Sequence, residues 1–173
     1  MKLAIDIDGV LRNFCESLIE QYGKDYPDHK VGFINKWELE HFFPIGKGIY
    51  DYAFKIKAKE VFENAEPFAG ARWFTEQLRR NGHYVCLLTQ QPKGAEVFTL
   101  NWIQKHGIAY DSIAFSKEKE LFNYDILLDD AEHNLRAARS AGRKAVCMSR
   151  PYNKNWDGER VSCWAEFLIL IQG

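Results

Sequence analysis

Apolar residues in this chain follow two alternating rhythms, and the alternation outlines a fold. The run from Leu3 to Ile7 reads as a buried strand of apolar and β-branched residues. Asp6 and Asp8 fall where such a strand should be most apolar. A period of two places both carboxylates on one side, near the strand's C-terminal end. Beyond Leu11 the period lengthens. Phe14, Leu18 and Ile19 predict a helix with Glu16, Glu20 and Lys24 facing out, ending near Gly23 or the Tyr26-Pro27 turn. From about Val31 to Phe54 the chain is aromatic and irregular, carrying Phe33, Trp37, Phe42, Phe43, Tyr50, Tyr52 and Phe54 and broken by Pro44, Gly46 and Gly48. A second helix is expected over Tyr52 to Phe62. This block separates the acidic strand from the next convincing strand, so it reads as a small inserted cap. The expected boundaries are a core of 1–13 and 67–173 and a cap of 14–66.

Pro67 marks the return to the core. Ala69 to Asn81 has helical spacing, with Ala71, Phe74 and Leu78 inward and Gly82 as its stop. Strands follow at Tyr84–Thr89, Ser112–Phe115, Asp125–Leu128 and Lys144–Met148. Helices are expected at Ala95–His106, Ala131–Ala141 and Ser162–Ile171, and Arg150 to Gly158 reads as a polar loop. Strands alternating with helices indicate an α/β domain with a mainly parallel sheet. In such sheets ligands bind at the carboxyl ends of strands. Three strands here end in polar groups: Asp6 with Asp8, Thr89, and Asp129 with Asp130.

Composition narrows the class. A chain of 173 residues with 46% hydrophobic residues is long enough for one domain with a sizeable core. A net charge of -1 argues against coating nucleic acid by charge alone, so no stable nucleic-acid partner is expected. Cys15, Cys86, Cys147 and Cys163 form no CxxC pair and read as reduced thiols. No signal peptide is evident, and the longest apolar run, Phe167 to Ile171, is too short to span a bilayer. The expectation is a cytoplasmic protein with no membrane partner. Its oligomeric state stays open, a homodimer included.

Two like charges buried side by side are costly unless they share a proton or a cation, and a hard divalent metal with oxygen ligands, such as Mg²⁺, is the natural partner. The plainer alternative is an acidic strand end that reaches solvent. Four acids, a threonine and a lysine suit phosphoryl transfer. Asp6 can act as nucleophile, Asp8 as proton donor and acceptor, and Thr89 and a lysine as binders of phosphoryl oxygens.

With these residues in place, the chain resembles the haloacid dehalogenase superfamily of aspartyl-phosphate phosphatases. The likeness is carried by DxDGV at Asp6 to Val10, Thr89 at a strand end, a lysine before the late acids, and LLDD at Leu127 to Asp130. That implies a three-layer α/β/α core. Within the superfamily it is most similar to the 5'(3')-deoxyribonucleotidases, through DGVLxxF at Asp8 to Phe14, Lys93 four residues past Thr89, LLDDxxxN ending at Asn134, and RPYN at Arg150 to Asn153. The resemblance implies Asp6 as nucleophile and Asp8 as acid and base. It also implies a Mg²⁺ site of Asp6, the Asp8 backbone carbonyl and the Asp129-Asp130 pair, with Asp130 the direct ligand. A phosphate-binding lysine ten residues before that pair is Lys119, with Lys117 in reserve. Phe14 matches a phenylalanine near the nucleoside base, with Trp37, Gln90 and Lys93 as further substrate-binding candidates. Gln90 departs from the usual Thr-Ser pair after the second strand. The expected partner is a small phosphate monoester, a deoxyribonucleoside monophosphate above all. A phosphatase of another metabolite or of a nucleic-acid 3' end, a phospho-acceptor domain and a non-catalytic binding module are the competing readings.

Overall fold

The strand carrying the first acids, β1 (Lys2–Ile5), lies in the middle of a six-stranded sheet in this computed structural model, which describes residues 1–172. It pairs in parallel with β2 (Tyr84–Thr89) on one side and β4 (Ile126–Asp129) on the other. β3 (Ser112–Phe115) extends the β2 side, while β5 (Lys144–Met148) and β6 (Arg160–Val161) extend the β4 side. The order is β3-β2-β1-β4-β5-β6, all pairs parallel. The chain walks outward from β1 to β3, then crosses back to β4. That crossover makes the gap between β1 and β4 the switch point at which parallel sheets open a crevice. The three strands with polar ends are therefore immediate neighbours.

Alternate strand residues feed opposite faces. Leu3, Ile5, Val85, Leu87 and Leu128 pack with α4 (Ala71–Arg80), α5 (Glu96–His106) and α7 (Trp164–Gln172). Ala4, Leu88, Leu127 and Cys147 pack with α6 (Glu132–Ser140) on the other face. This is the three-layer α/β/α arrangement. Each fully buried leucine or isoleucine contributes roughly 1.5–3 kcal/mol by leaving water.

Residues between the two core stretches pack around a separate apolar cluster that includes Phe14, Leu18, Tyr22, Ile49, Val61 and Phe62. α1 (Phe14–Asp25) follows the expected spacing. The single helix expected over Tyr52 to Phe62 is instead a wide turn at Tyr52–Ile56 followed by α3 (Ala58–Glu63), with a short helix α2 (Gly48–Asp51) before it. Lys57 causes the split: its backbone leaves the helical region, and its N–H closes on the Tyr52 carbonyl at 2.8 Å. Where this segment leaves and rejoins the sheet, the two crossings bond to each other, Asn13 N–H to the Glu66 carbonyl and Phe68 N–H to the Leu11 carbonyl, both at 2.9 Å.

Two further expectations are corrected. β1 ends at Ile5 rather than Ile7, and Asp6 keeps only its N–H on the sheet, bonded to the Leu128 carbonyl at 2.9 Å. The chain then curls. Gly9 adopts φ +72°, and the Ile7 carbonyl accepts the N–H groups of Val10, Leu11 and Arg12. Asp6 and Asp8 consequently do not share a strand face, because the turn re-aims Asp8. β6 falls between the expected loop, ending at Gly158, and the expected helix, starting at Ser162; two residues are too short to show a period. Among the described residues no helix is long and apolar enough to cross a membrane.

Candidate active site

Asp6 sits one residue past the end of β1, so the sheet register brings it beside the end of β4. Lys119 rises from a short turn (Lys119–Leu121) and inserts its ammonium between the two strands. Nζ lies 2.8 Å from Asp6 Oδ1 and 2.6 Å from Asp129 Oδ2, and the side chain is 2% exposed. Burial alone would lower the affinity of Lys119 for its proton, but Asp129 and Asp6 together hold it above the usual lysine range. Burial pushes Asp6 up to about 7 against the pull of Lys119, and Asp129 pushes the same way as burial. Asp6 Oδ1 is buried, and the Lys119 ammonium is its close charged partner.

The late acid pair divides its tasks. Asp129 takes three donors from the protein: Oδ1 accepts the Ala131 N–H at 2.8 Å, while Oδ2 accepts from Lys119 at 2.6 Å and the Asn134 amide at 3.1 Å. Asp130 is buried with only the Tyr152 hydroxyl donating to its carboxylate, and burial with the charges of Asp129 and Asp6 raises it well above the ordinary range. The RPYN stretch fixes this corner. Asn153 donates to the carbonyls of Asp130 and Met148 at 2.8 and 2.9 Å, and Arg150 Nε donates to the Gly9 carbonyl at 2.6 Å. Gly9 has no room for a side chain, since a Cβ there would lie 1.8 Å from Asp130 Oδ2.

Asp8 faces differently. Arg12 grips it from below, Nε to Oδ1 at 2.7 Å and Nη2 to Oδ2 at 2.9 Å, and Gln91 Nε2 donates to Oδ2 at 2.7 Å. Thr89, buried at the end of β2, stands beside this group, with Gln91 Nε2 3.5 Å from its hydroxyl.

These groups form the floor of a cleft of about 540 Å³. Asp6, Asp8, Thr89, Lys119 and Asp130 line it, as do the substrate-binding candidates Phe14, Trp37 and Gln90. Phe14 already stacks on Phe54, with centroids 5.6 Å apart, and Trp37 meets Tyr152 and His133 edge-on. Lys93 is exposed and outside the cleft, and Lys117 is exposed. Pro92 closes its loop by accepting the Ala95 N–H at 2.9 Å, and the lysine just after it projects into solvent. Arg12, Gln91, Tyr50, Phe54 and Tyr152 belong to the site and were not assigned to it from the sequence. Arg12 had one usable signal, a cation four residues after Asp8 and next to the apolar Val10 and Leu11.

A family model described as "5' nucleotidase, deoxy (Pyrimidine), cytosolic type C protein" matches residues 1–172. The chain belongs to this family. A Chlorobaculum tepidum protein provisionally named 5'(3')-deoxyribonucleotidase is 24% identical over 98% of this chain and 89% of its own length. The Bacillus subtilis 5'(3')-deoxyribonucleotidase is 24% identical over 95% of this chain and 94% of its own. Among solved structures, a provisionally assigned haloacid dehalogenase hydrolase of Bacillus subtilis, crystallised with magnesium, superposes with a TM-score of 0.66 at 11% identity. It covers 99% of this chain and 98% of its own. At that identity the likeness establishes the haloacid dehalogenase fold.

For a member of this nucleotidase family the acid cluster has the chemistry of a cation site. Asp6, Asp129 and Asp130 offer carboxylate oxygens all within 4.8 Å of one another. Ionised, three carboxylates and one ammonium leave two negative charges unbalanced, and the buried Asp130 carboxylate has only the Tyr152 hydroxyl as donor. Hard oxygen donors with that charge deficit fit a divalent cation such as Mg²⁺.

Proposed function

We propose that this chain is a Mg²⁺-dependent phosphatase that hydrolyses deoxyribonucleoside monophosphates through an aspartyl-phosphate on Asp6. The observation that supports it most is the placement of Asp6: a buried carboxylate at the switch point, flanked by Lys119 at 2.8 Å, on the floor of an aromatic-walled cleft. In this reading a carboxylate oxygen of Asp6 attacks phosphorus as the bond to the leaving oxygen breaks, and Asp8 gives that oxygen a proton. Asp8 then takes a proton from water as the water attacks phosphorus. The Asp6–phosphorus bond breaks and inorganic phosphate leaves. Lys119 and Thr89 hold phosphoryl oxygens and stabilise the charge of the transition state. Asp6, Asp130 and the Asp8 carbonyl would hold Mg²⁺, with Asp129 locking Lys119 and Asn134 beside it. When bound, the ion neutralises phosphate charge and polarises the phosphoryl group.

The cleft volume lies within the range of small-ligand pockets and suits a mononucleotide. Segment 14–66 serves as the cap, its Phe14, Trp37, Tyr50 and Phe54 offering apolar surface to a base and deoxyribose. The test is phosphate release from a panel of mononucleotides and sugar phosphates with Mg²⁺, with Asp6→Asn as the control. Release from deoxynucleotides that Asp6→Asn abolishes is expected. Turnover of sugar phosphates with none from any nucleotide would refute the substrate assignment.

A further inference from the structure

Arg12 is fully buried, a costly place for a guanidinium, and its surroundings engage it almost completely. Four of its five N–H donors have partners: two go to Asp8, one to Thr99 Oγ1 at 3.1 Å and one to the Phe62 carbonyl at 3.3 Å. The guanidinium also lies between the rings of Phe62 and Trp102, 4.7 and 5.2 Å from their centroids. Its backbone occupies the crossing between sheet and cap segment, bridged to Asp8 on one side and Pro67 on the other. A buried ion pair is a poor way to gain stability, since an apolar side chain of similar volume often does as well or better. What this pair does provide is a fixed carboxylate at the edge of the cleft.

We propose that Arg12 is the positioning residue for proton transfer by Asp8. This rests on the reading of Asp8 as proton carrier given above. A carboxylate has about four lone-pair positions. Oδ2 accepts from Arg12 and Gln91 and Oδ1 accepts only from Arg12, so the remaining position is on Oδ1. The Asp8 side chain is one quarter exposed and lines the cleft. Arg12 thus fixes the plane of the carboxylate, Gln91 on Oδ2 leaves Oδ1 as the oxygen that carries the proton, and Thr99 and the Phe62 carbonyl hold Arg12 against rotation.

The test separates proton delivery from folding by leaving group. A deoxynucleoside monophosphate needs a proton on its departing oxygen, whereas p-nitrophenyl phosphate expels a stable phenolate. For Arg12→Lys, kcat with a deoxynucleotide is expected to fall roughly 30-fold, a part of the roughly 10²–10⁴-fold that a positioned acid contributes, with KM nearly unchanged. First-turnover release of p-nitrophenol should stay within about 3-fold of the parent, because that step needs little acid help. Asp8→Asn should show the same selectivity more strongly, and Asp8→Asn with Arg12→Lys should be no slower than Asp8→Asn alone. If Arg12→Lys does not fold, Thr99→Val removes one anchor at constant shape and should give a smaller loss of the same pattern. Equal losses on both substrates, or an Arg12 effect that adds to that of Asp8→Asn, would mean a purely structural role and overturn the proposal. An Asp8→Asn variant without leaving-group selectivity would overturn the assignment of Asp8 itself, and the proposal with it.

Discussion

Gly9→Ala is the sharpest test of how the acidic corner is built, because two costs there can be separated. The first is conformational. Gly9 has φ +72°, where a side chain costs about 1–2 kcal/mol. The second is overlap. A Cβ would sit 1.8 Å from Asp130 Oδ2 and 2.7 Å from the Tyr152 hydroxyl, so the carboxylate must withdraw by about 1.6 Å or more to reach ordinary contact. It cannot withdraw freely, since Asn153 pins the Asp130 carbonyl at 2.8 Å and Tyr152 holds the carboxylate. Losing that buried charged hydrogen bond adds about 1.5–3 kcal/mol. The total is about 3–5 kcal/mol, a large share of a typical domain's stability. Gly142→Ala is the internal control: φ is +75°, and nothing lies within 4 Å of the added carbon. Urea titration of both variants isolates the overlap as their difference, expected at about 2 kcal/mol or more. Phosphate release should fall about 100-fold in Gly9→Ala only, the usual cost of a 1 Å misplacement in a catalytic constellation. Equal destabilisation of the two variants, with activity retained in Gly9→Ala, would refute the claim that Gly9 makes room for Asp130.

Other outcomes follow from the same geometry. Lys119→Met leaves Asp6 and Asp129 buried without their shared cation; it should cost about 3–5 kcal/mol in denaturant titration and lower kcat by about 10²–10³. Lys117→Met, at an exposed position, should change neither. With divalent ions chelated, the raised Asp6 and Asp130 mean that the folded protein binds more protons than the unfolded chain between about pH 4 and 7. Stability should therefore increase as pH falls from 8 towards 5, by up to about 1.4 kcal/mol per pH step for each carboxylate. Added Mg²⁺ should flatten or reverse that trend, and thermal melts that improve with rising pH under chelation would contradict it. Trp37→Ala removes a half-exposed ring from the cleft wall and should raise KM for a deoxynucleotide about 10-fold or more with little change in kcat or melting temperature.

The sequence was most legible where a single physical rule governed. β2, β3 and β5 are short apolar runs between turn residues, and their observed limits coincide with the expected ones. Thr89, Asp6 and Asp129 could be placed together because strand ends in a parallel sheet share an edge. Legibility failed where tertiary contacts override local pattern. The alternation argument put Asp8 on a strand face, but the Gly9 turn carries it round to Arg12. A helical rhythm over Tyr52 to Phe62 concealed the break at Lys57, which is set by packing within the cap segment. Gln91 and Arg12 escaped notice because their importance lies in which partner they meet across 83 and 4 residues, not in any local spacing.

The central position of β1 also has a consequence for synthesis. Its neighbours are Tyr84–Leu87 and Ile126–Leu128, so the first of the six strands to be made is sealed on its second side only after about 120 further residues have followed. At roughly 5–20 residues per second that is a wait on the order of 6–25 s. During it, an apolar strand that leads directly into Asp6 has an open edge, and Lys119 does not yet exist to meet that carboxylate. The floor of the cleft is therefore among the later features of the nascent chain to close.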